Sequence, residues 1–200
     1  MKEVRTFNCE LRKEAESRKV KGIAAVFNSR TELWPGVFEE VATGAFDTVM
    51  SDDVRALFNH DPNYILGRTK AGTLNISKET SGLAYEFEAP NTTAGNDLIE
   101  SLSRGDIDQS SFAFTVEKSS WTDLGEGKWL RTIEKVKRLY DVSPVTYPAY
   151  EDTNVSIARD EFNKRNDELE AEKNEAEKLK LQNQNLKLQS DLLKLKLNKD

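Results

Sequence analysis

The residues that break helices stop abruptly near position 160 of this chain. All ten glycines, all five prolines and all three tryptophans precede that point, and no aromatic side chain follows Phe162. From Glu161 to Asp200 the sequence is dominated by Glu, Lys, Asn, Gln and Leu. Such a segment predicts one long helix, on the order of 58 Å if continuous. Acidic side chains crowd its first half (Asp167, Glu168, Glu170, Glu172, Glu175, Glu177) and basic ones its second (Lys187, Lys194, Lys196, Lys199), an order that complements the helix macrodipole. Leu181, Leu188, Leu192 and Leu195 form one stripe, and Leu179, Leu186, Leu193 and Leu197 a second, roughly opposite one. The first stripe has coiled-coil spacing, with Asn185 at an a position where a polar residue can fix register. Two apolar faces exceed what a solvated helix needs. Residues 160–200 are therefore expected to be a charged, Leu-striped tail for self-association or scaffold contact, and residues 1–159 a single folded domain.

Composition excludes several classes. A net charge of -6 argues against a nucleic-acid partner bound by phosphate neutralisation. A single cysteine, Cys9, cannot close an internal disulfide or build a Cys-rich zinc site, and is read as a small strand residue. The opening MKEVRTFNCELRKEAE lacks an apolar h-region, so a signal peptide is not expected. No apolar run approaches the length of a membrane span, so no membrane partner is expected either.

The first 160 residues read as mainly β. Lys21–Phe27 and Val54–Phe58 are buried-strand candidates, while Gly72–Ile76 and Leu83–Glu88 alternate by twos around a turn at Lys78–Gly82. Phe112–Glu117 and Lys128–Ile133 flank a Gly125-Glu126-Gly127 turn. Asn96–Arg104 predicts a short helix stopped by Gly105, and Ala45–Met50 a second one. Many short strands with two small helices predict a closed or nearly closed antiparallel barrel.

Three segments carry chemistry. The chain has one histidine, His60, in Phe58-Asn59-His60-Asp61, and histidine is the side chain that titrates near neutral pH without perturbation. Ser110 and Ser111 stand between a polar loop and the apolar strand Phe112–Val116. Asp141 is a lone carboxylate in the apolar run Leu139–Pro144, costly to bury unless paired, and a histidine N–H would serve as that partner. Arg138 or Lys137 would serve too, and Glu151 and Asp152 are rival carboxylates for orienting the imidazole, whereas Asp61, next to His60 in sequence, is expected to point away from the ring. A serine becomes a useful nucleophile when a base takes its proton and a third group holds that base in one tautomer.

Taken in order, VKGIAAVFN, Gly44-Ala45-Phe46, LFNHD, LGRTKAGTL, GLAYEFEAP, LSRGDIDQSSFAF and DVSPVTYPAYEDT resemble the prohead proteases of HK97-type tailed phages, relatives in fold of the herpesvirus assembly proteases. The resemblance spans Gly22 to about Ile157. It implies a herpesvirus-protease-like closed β-barrel flanked by helices, α+β in class, ahead of the long helix. It implies a serine endopeptidase with His60 as general base and Ser111, the serine directly before Phe-x-Phe, as nucleophile. Asp141 matches the acidic position before Val-Ser-Pro. Ala113 stands where the family often has Gly. The implied partner is the major capsid protein, whose scaffolding segment would be cleaved, along with the protease itself, inside the assembling procapsid in the host cytoplasm. No cofactor is implied. Arg68, Arg131 and Arg138 are candidates for facing the oxyanion.

Two other readings compete. One is a catalytically inactive scaffold or assembly protein acting through its helical tail. The other is a metal-dependent phosphohydrolase using Asp52, Asp53, His60 and Asp61, which the lack of a second histidine disfavours.

Overall fold

The computed structural model describes residues 2–7, 11–13, 17–147 and 156–197. The chain divides into two compact units, Met1–Val155 and Ser156–Asp200. Cys9, Glu151 and Asp152 lie outside the described residues.

The first unit is built on a long hairpin. Strands β10 (Gln109–Gly125) and β11 (Lys128–Val145) pair antiparallel along nearly their whole length. Glu126 and Gly127 connect them, both at positive φ (54° and 74°). A two-residue loop with that φ signature matches the right-handed twist of paired strands. The expected turn is present, but the strands run well beyond the stretches that alternate cleanly in sequence.

The hairpin collects the other strands of a seven-stranded sheet. β1 (Glu3–Phe7) lies antiparallel along β10, with Thr6 opposite Ser111. On the far edge of β11, β5 (Val37–Val41) pairs in parallel with Trp129–Ile133, and β4 (Thr31–Trp34) pairs with β5. Further along the same edge, β6 (Arg55–Phe58) pairs in parallel with Asp141 and Val142, and β7 (Asp61–Arg68) folds back on β6. A second, four-stranded sheet runs β2-β3-β9-β8 (Leu11–Lys13, Lys19–Val26, Gly82–Glu88, Leu74–Lys78). A parallel bridge between Phe27 and Val41 joins the end of β3 to β5. The unit is mainly β, as expected, but the ladders do not close: among the described strands there are two sheets and no closed barrel.

The core lies where apolar faces of the sheets and helix α1 (Thr93–Arg104) meet, around Phe46, Phe112, Phe114, Leu98, Ile133 and Leu139, all fully buried. Phe112 packs edge-on against Phe46 at 5.5 Å and stacks on Phe114 at 4.6 Å between ring centroids. Thr92 caps α1 by accepting the Gly95 N–H, and Gly105 ends it in the left-handed conformation at φ 78°. The helix expected at Ala45–Met50 is instead a run of turns, with Ala45, Asp47 and Val49 each donating to the carbonyl three residues back. Ala45, Phe46 and Val49 still bury themselves, so the apolar pattern that suggested a helix is met by tight turns.

The second unit is a single helix, α2 (Ser156–Leu197). Leu179, Leu181, Leu186 and Leu188 on it are 58–60% exposed. The side chains of the remaining leucines of the two stripes, from residue 190 onward, lie outside the described ones.

Candidate active site

His60 occupies an unusual backbone position. The loop between β6 and β7 is only Asn59-His60, closed by the pair Phe58 and Asp61. Both loop residues have positive φ, 53° and 59°. Glycine or asparagine normally fills such a turn, and a histidine at its second position is locally strained. The turn is held from outside: the Asn59 N–H donates to the Pro144 carbonyl, and the Thr146 N–H donates to Asn59 Oδ1. The imidazole is thereby fixed over the end of β11.

Asp141 reaches the same place through a bulge. Ala113 pairs with Asp141, but the next residue, Phe114, pairs with Leu139, leaving Tyr140 as the extra residue. Strict alternation would put Leu139 and Asp141 on one face. The bulge separates them, sending Leu139 to the core and Asp141 to the other side of the sheet. Cross-strand neighbours share a face, so Ser111, Ala113, Asp141 and Ser143 stand together.

On that face a chain of hydrogen bonds forms. His60 Nδ1 lies 2.5 Å from Asp141 Oδ1, and His60 Nε2 lies 2.7 Å from Ser111 Oγ. Ser143 Oγ donates to Asp141 Oδ1 at 2.9 Å, and Lys2 Nζ donates to Oδ2 at 3.1 Å. Burial pushes the Asp141 carboxyl up, but its hydrogen bond and charge pairing with His60, together with Lys2, outweigh this and hold it below the ordinary carboxylate range. An ionised Asp141 accepts a hydrogen bond from Nδ1–H, which leaves the Nε2 lone pair facing Ser111. Ser111 is fully buried, and its Oγ also lies 2.8 Å from the Arg5 carbonyl on β1. The hydroxyl proton therefore has two acceptors, of which Nε2 alone can activate the oxygen.

Neighbouring candidates are engaged elsewhere. Ser110 points to the opposite side, where its Oγ meets Tyr85 Oη at 2.7 Å. The Tyr85 ring lies across Gly22, whose missing Cβ would come within 2.7 Å of it, so the glycine of VKGIAAVFN makes room for this contact. Asp61 accepts the backbone N–H of Asn63. Asp52 accepts the Leu139 N–H, and Arg68 grips Asp53 at 2.5 and 2.8 Å, holding that carboxyl down at about 2. The four-residue set Asp52, Asp53, His60 and Asp61 is not gathered around one point, and among the described residues no three potential metal ligands cluster.

The arginines considered for an oxyanion are likewise committed. Arg68 pairs with Asp53, and Arg138 sits over the Tyr140 ring, 4.9 Å from its centroid. Arg131 belongs to a buried cluster behind the serine strand. Its Nη1 bonds Glu3 Oε2 (2.9 Å) and Glu39 Oε2 (2.8 Å), while Arg5 bonds the same two carboxylates. Burial pushes Glu39 up, but Arg5 and Arg131 outweigh it and hold its carboxyl below the usual range.

A base, a serine and a carboxylate joined in this way are the minimal parts for acyl transfer to serine. The family described as caudovirus prohead serine protease matches residues 7–168. The chain belongs to that family. Members of this prohead protease family are serine proteases, so a nucleophilic serine is required, and here Ser111 is the serine in contact with the lone histidine. Among solved structures, the chain is similar to the bacteriophage T4 capsid assembly protease, gp21, at 12% identity and a TM-score of 0.46, over 74% of this chain and 99% of that one. No curated protein matches it.

Sequence reasoning missed Lys2, Arg5 and Ser143. Ser143 was within reach, because it stands two residues from Asp141 and so shares its strand face. Lys2 and Arg5 carry no local signal. They arrive through the pairing of β1 with β10, a contact more than a hundred residues long in sequence.

Proposed function

We propose that this chain is a serine endopeptidase that cleaves the scaffolding segment of the phage major capsid protein, and itself, during procapsid maturation. Ser111 is the nucleophile, His60 the general base and Asp141 the carboxylate that orients it. The observation that carries this reading is the 2.7 Å contact of His60 Nε2 with Ser111 Oγ, with Asp141 on the other ring nitrogen. As Oγ attacks the scissile carbonyl carbon, Nε2 takes its proton, and Asp141 stabilises the imidazolium that forms. The imidazolium then protonates the leaving amine, and water, deprotonated by the same nitrogen, releases the acyl group. Because Ser111 is covered in the free chain, substrate entry requires the covering atoms to move.

Family membership supports the role in capsid maturation, and hence a site of action inside the assembling procapsid in the host cytoplasm. The exposed leucines of α2 support a tail that self-associates or contacts scaffold. They also favour the second reading, an inactive scaffold acting through that tail. Co-expression of Ser111→Ala with the capsid protein separates the two. Under the protease reading, mass spectrometry finds full-length capsid subunits and an uncut protease chain. Cleavage at the wild-type level would refute it.

A further inference from the structure

We propose that Ser143 is a positioning residue for the reaction, holding Asp141 in the rotamer that orients His60. The inference rests on the triad reading above. Asp141 has two oxygens and almost no access to water, its side chain being 2% exposed. Oδ1 serves His60 and Ser143 together, at 2.5 and 2.9 Å, while Oδ2 serves Lys2 at 3.1 Å. Without Ser143, the carboxylate would be held between the imidazole and a lysine whose side chain is 45% exposed. A half-exposed ion pair is screened and mobile, and constrains geometry weakly. A fully buried hydroxyl donating to a carboxylate makes a charge-assisted bond that water does not compete for, and it restrains the carboxylate's orientation.

The fold explains why the hydroxyl is there. Ser143 stands two residues along β11 from Asp141 and directly across from Ser111, on the face they share. Its hydroxyl donates to Asp141 Oδ1, while its backbone is held in the ladder with β10. Serine also suits the space, since Ser143 is fully buried between the nucleophile strand and β6.

Two measurements on the purified full-length chain test this. The first is the rate of capsid-protein cleavage against capsid-protein concentration. The second is the Nδ1 proton resonance of the ring, which is assigned without ambiguity because the chain has a single histidine. Ser143→Ala is expected to lower kcat roughly ten- to hundredfold with KM unchanged, and to move or broaden the Nδ1 resonance. Ser143→Thr, which keeps the hydroxyl, should stay within about threefold of wild type. Wild-type kcat in Ser143→Ala, or a lost rate with an unmoved resonance, would overturn the inference. If Ser111→Ala is inactive while Ser143→Ala is normal, positioning fails and the triad stands. If Ser111→Ala cleaves as wild type does, both fall.

Discussion

The buried charges behind the serine strand give the most quantitative prediction. Glu3, Arg5, Glu39 and Arg131 have side chains at most 5% exposed, and they form a closed set of two cations and two anions. Arg131→Met removes three hydrogen bonds, to Glu3 Oε2, Glu3 Oε1 and Glu39 Oε2, and leaves two buried carboxylates sharing Arg5 alone. Breaking one side of a buried pair costs about 3–5 kcal/mol, because the remaining charge is uncompensated and dry. That is a large part of the roughly 5–15 kcal/mol that holds a domain folded. The assay is urea unfolding followed by tryptophan fluorescence. Trp34, Trp121 and Trp129 all belong to the first unit, so α2 does not contribute to the signal. With a slope of about 2 kcal/mol/M, the midpoint falls by roughly 2 M. The double variant Arg131→Met/Glu39→Gln restores neutrality and is expected to recover about 1–3 kcal/mol relative to additivity. A cost under about 1 kcal/mol for the single variant, or strict additivity in the double, would mean that water or rearrangement compensates the cluster and that β1 is not anchored by it.

Three other outcomes follow from the same geometry. Asp141→Asn should cut kcat by about 10³–10⁴, as the comparable change does in other serine proteases, because an amide can donate to Nδ1 and turn the imidazole into the wrong tautomer; a loss under tenfold in steady-state cleavage would count against its assigned role. His60→Ala and Ser111→Ala should lose about the same activity as each other and as the double variant, since members of such a set act as a unit, and additive losses would contradict the shared step. Stability should decline on acidification: Glu39 and Asp141 have folded values below their ordinary 4.5 and 3.8, so their contribution is complete above those values and is lost as pH falls through the lower folded ones. Urea midpoints measured from pH 6 to pH 3 should drop below about pH 4.5, and less steeply in Glu39→Gln.

How much was legible beforehand depends on which forces act locally. Strands β3, β8 and β9 and the helix at Asn96–Arg104 follow from alternation, capping and the stop at Gly105, all of which act within a few residues. His60 stands out as the single histidine, whereas the choice of Ser111 over Ser110, and of Asp141 among the carboxylates, rests on the resemblance to the prohead proteases. Strand β1 could not be read in this way. Glu3 and Arg5 look like the solvent face of an ordinary polar segment, and only the distant Glu39 and Arg131 make their burial possible. The bulge at Tyr140 was equally hidden, since an unbroken strand would have sent Leu139 and Asp141 the same way. Closure into a barrel was inferred from the number of short strands, whereas strand count does not determine whether edges meet. The expected helix at Ala45–Met50 shows a similar ambiguity, because three-residue turns bury the same apolar positions.

The Asn59-His60 turn has a consequence for how such chains can vary. The imidazole depends on a connection two residues long, whose ends are paired as Phe58 and Asp61 and whose first residue is bonded to Pro144 and Thr146. One residue added or removed there would change the turn class, and with it the direction in which position 60 projects. Deletions and insertions at this point should therefore silence the protein even when every reacting side chain is retained. The tip at Glu126-Gly127, at the far end of the long hairpin from Ser111, lacks that restraint. Length drift among descendants of this sequence should collect at the tip and spare the histidine turn.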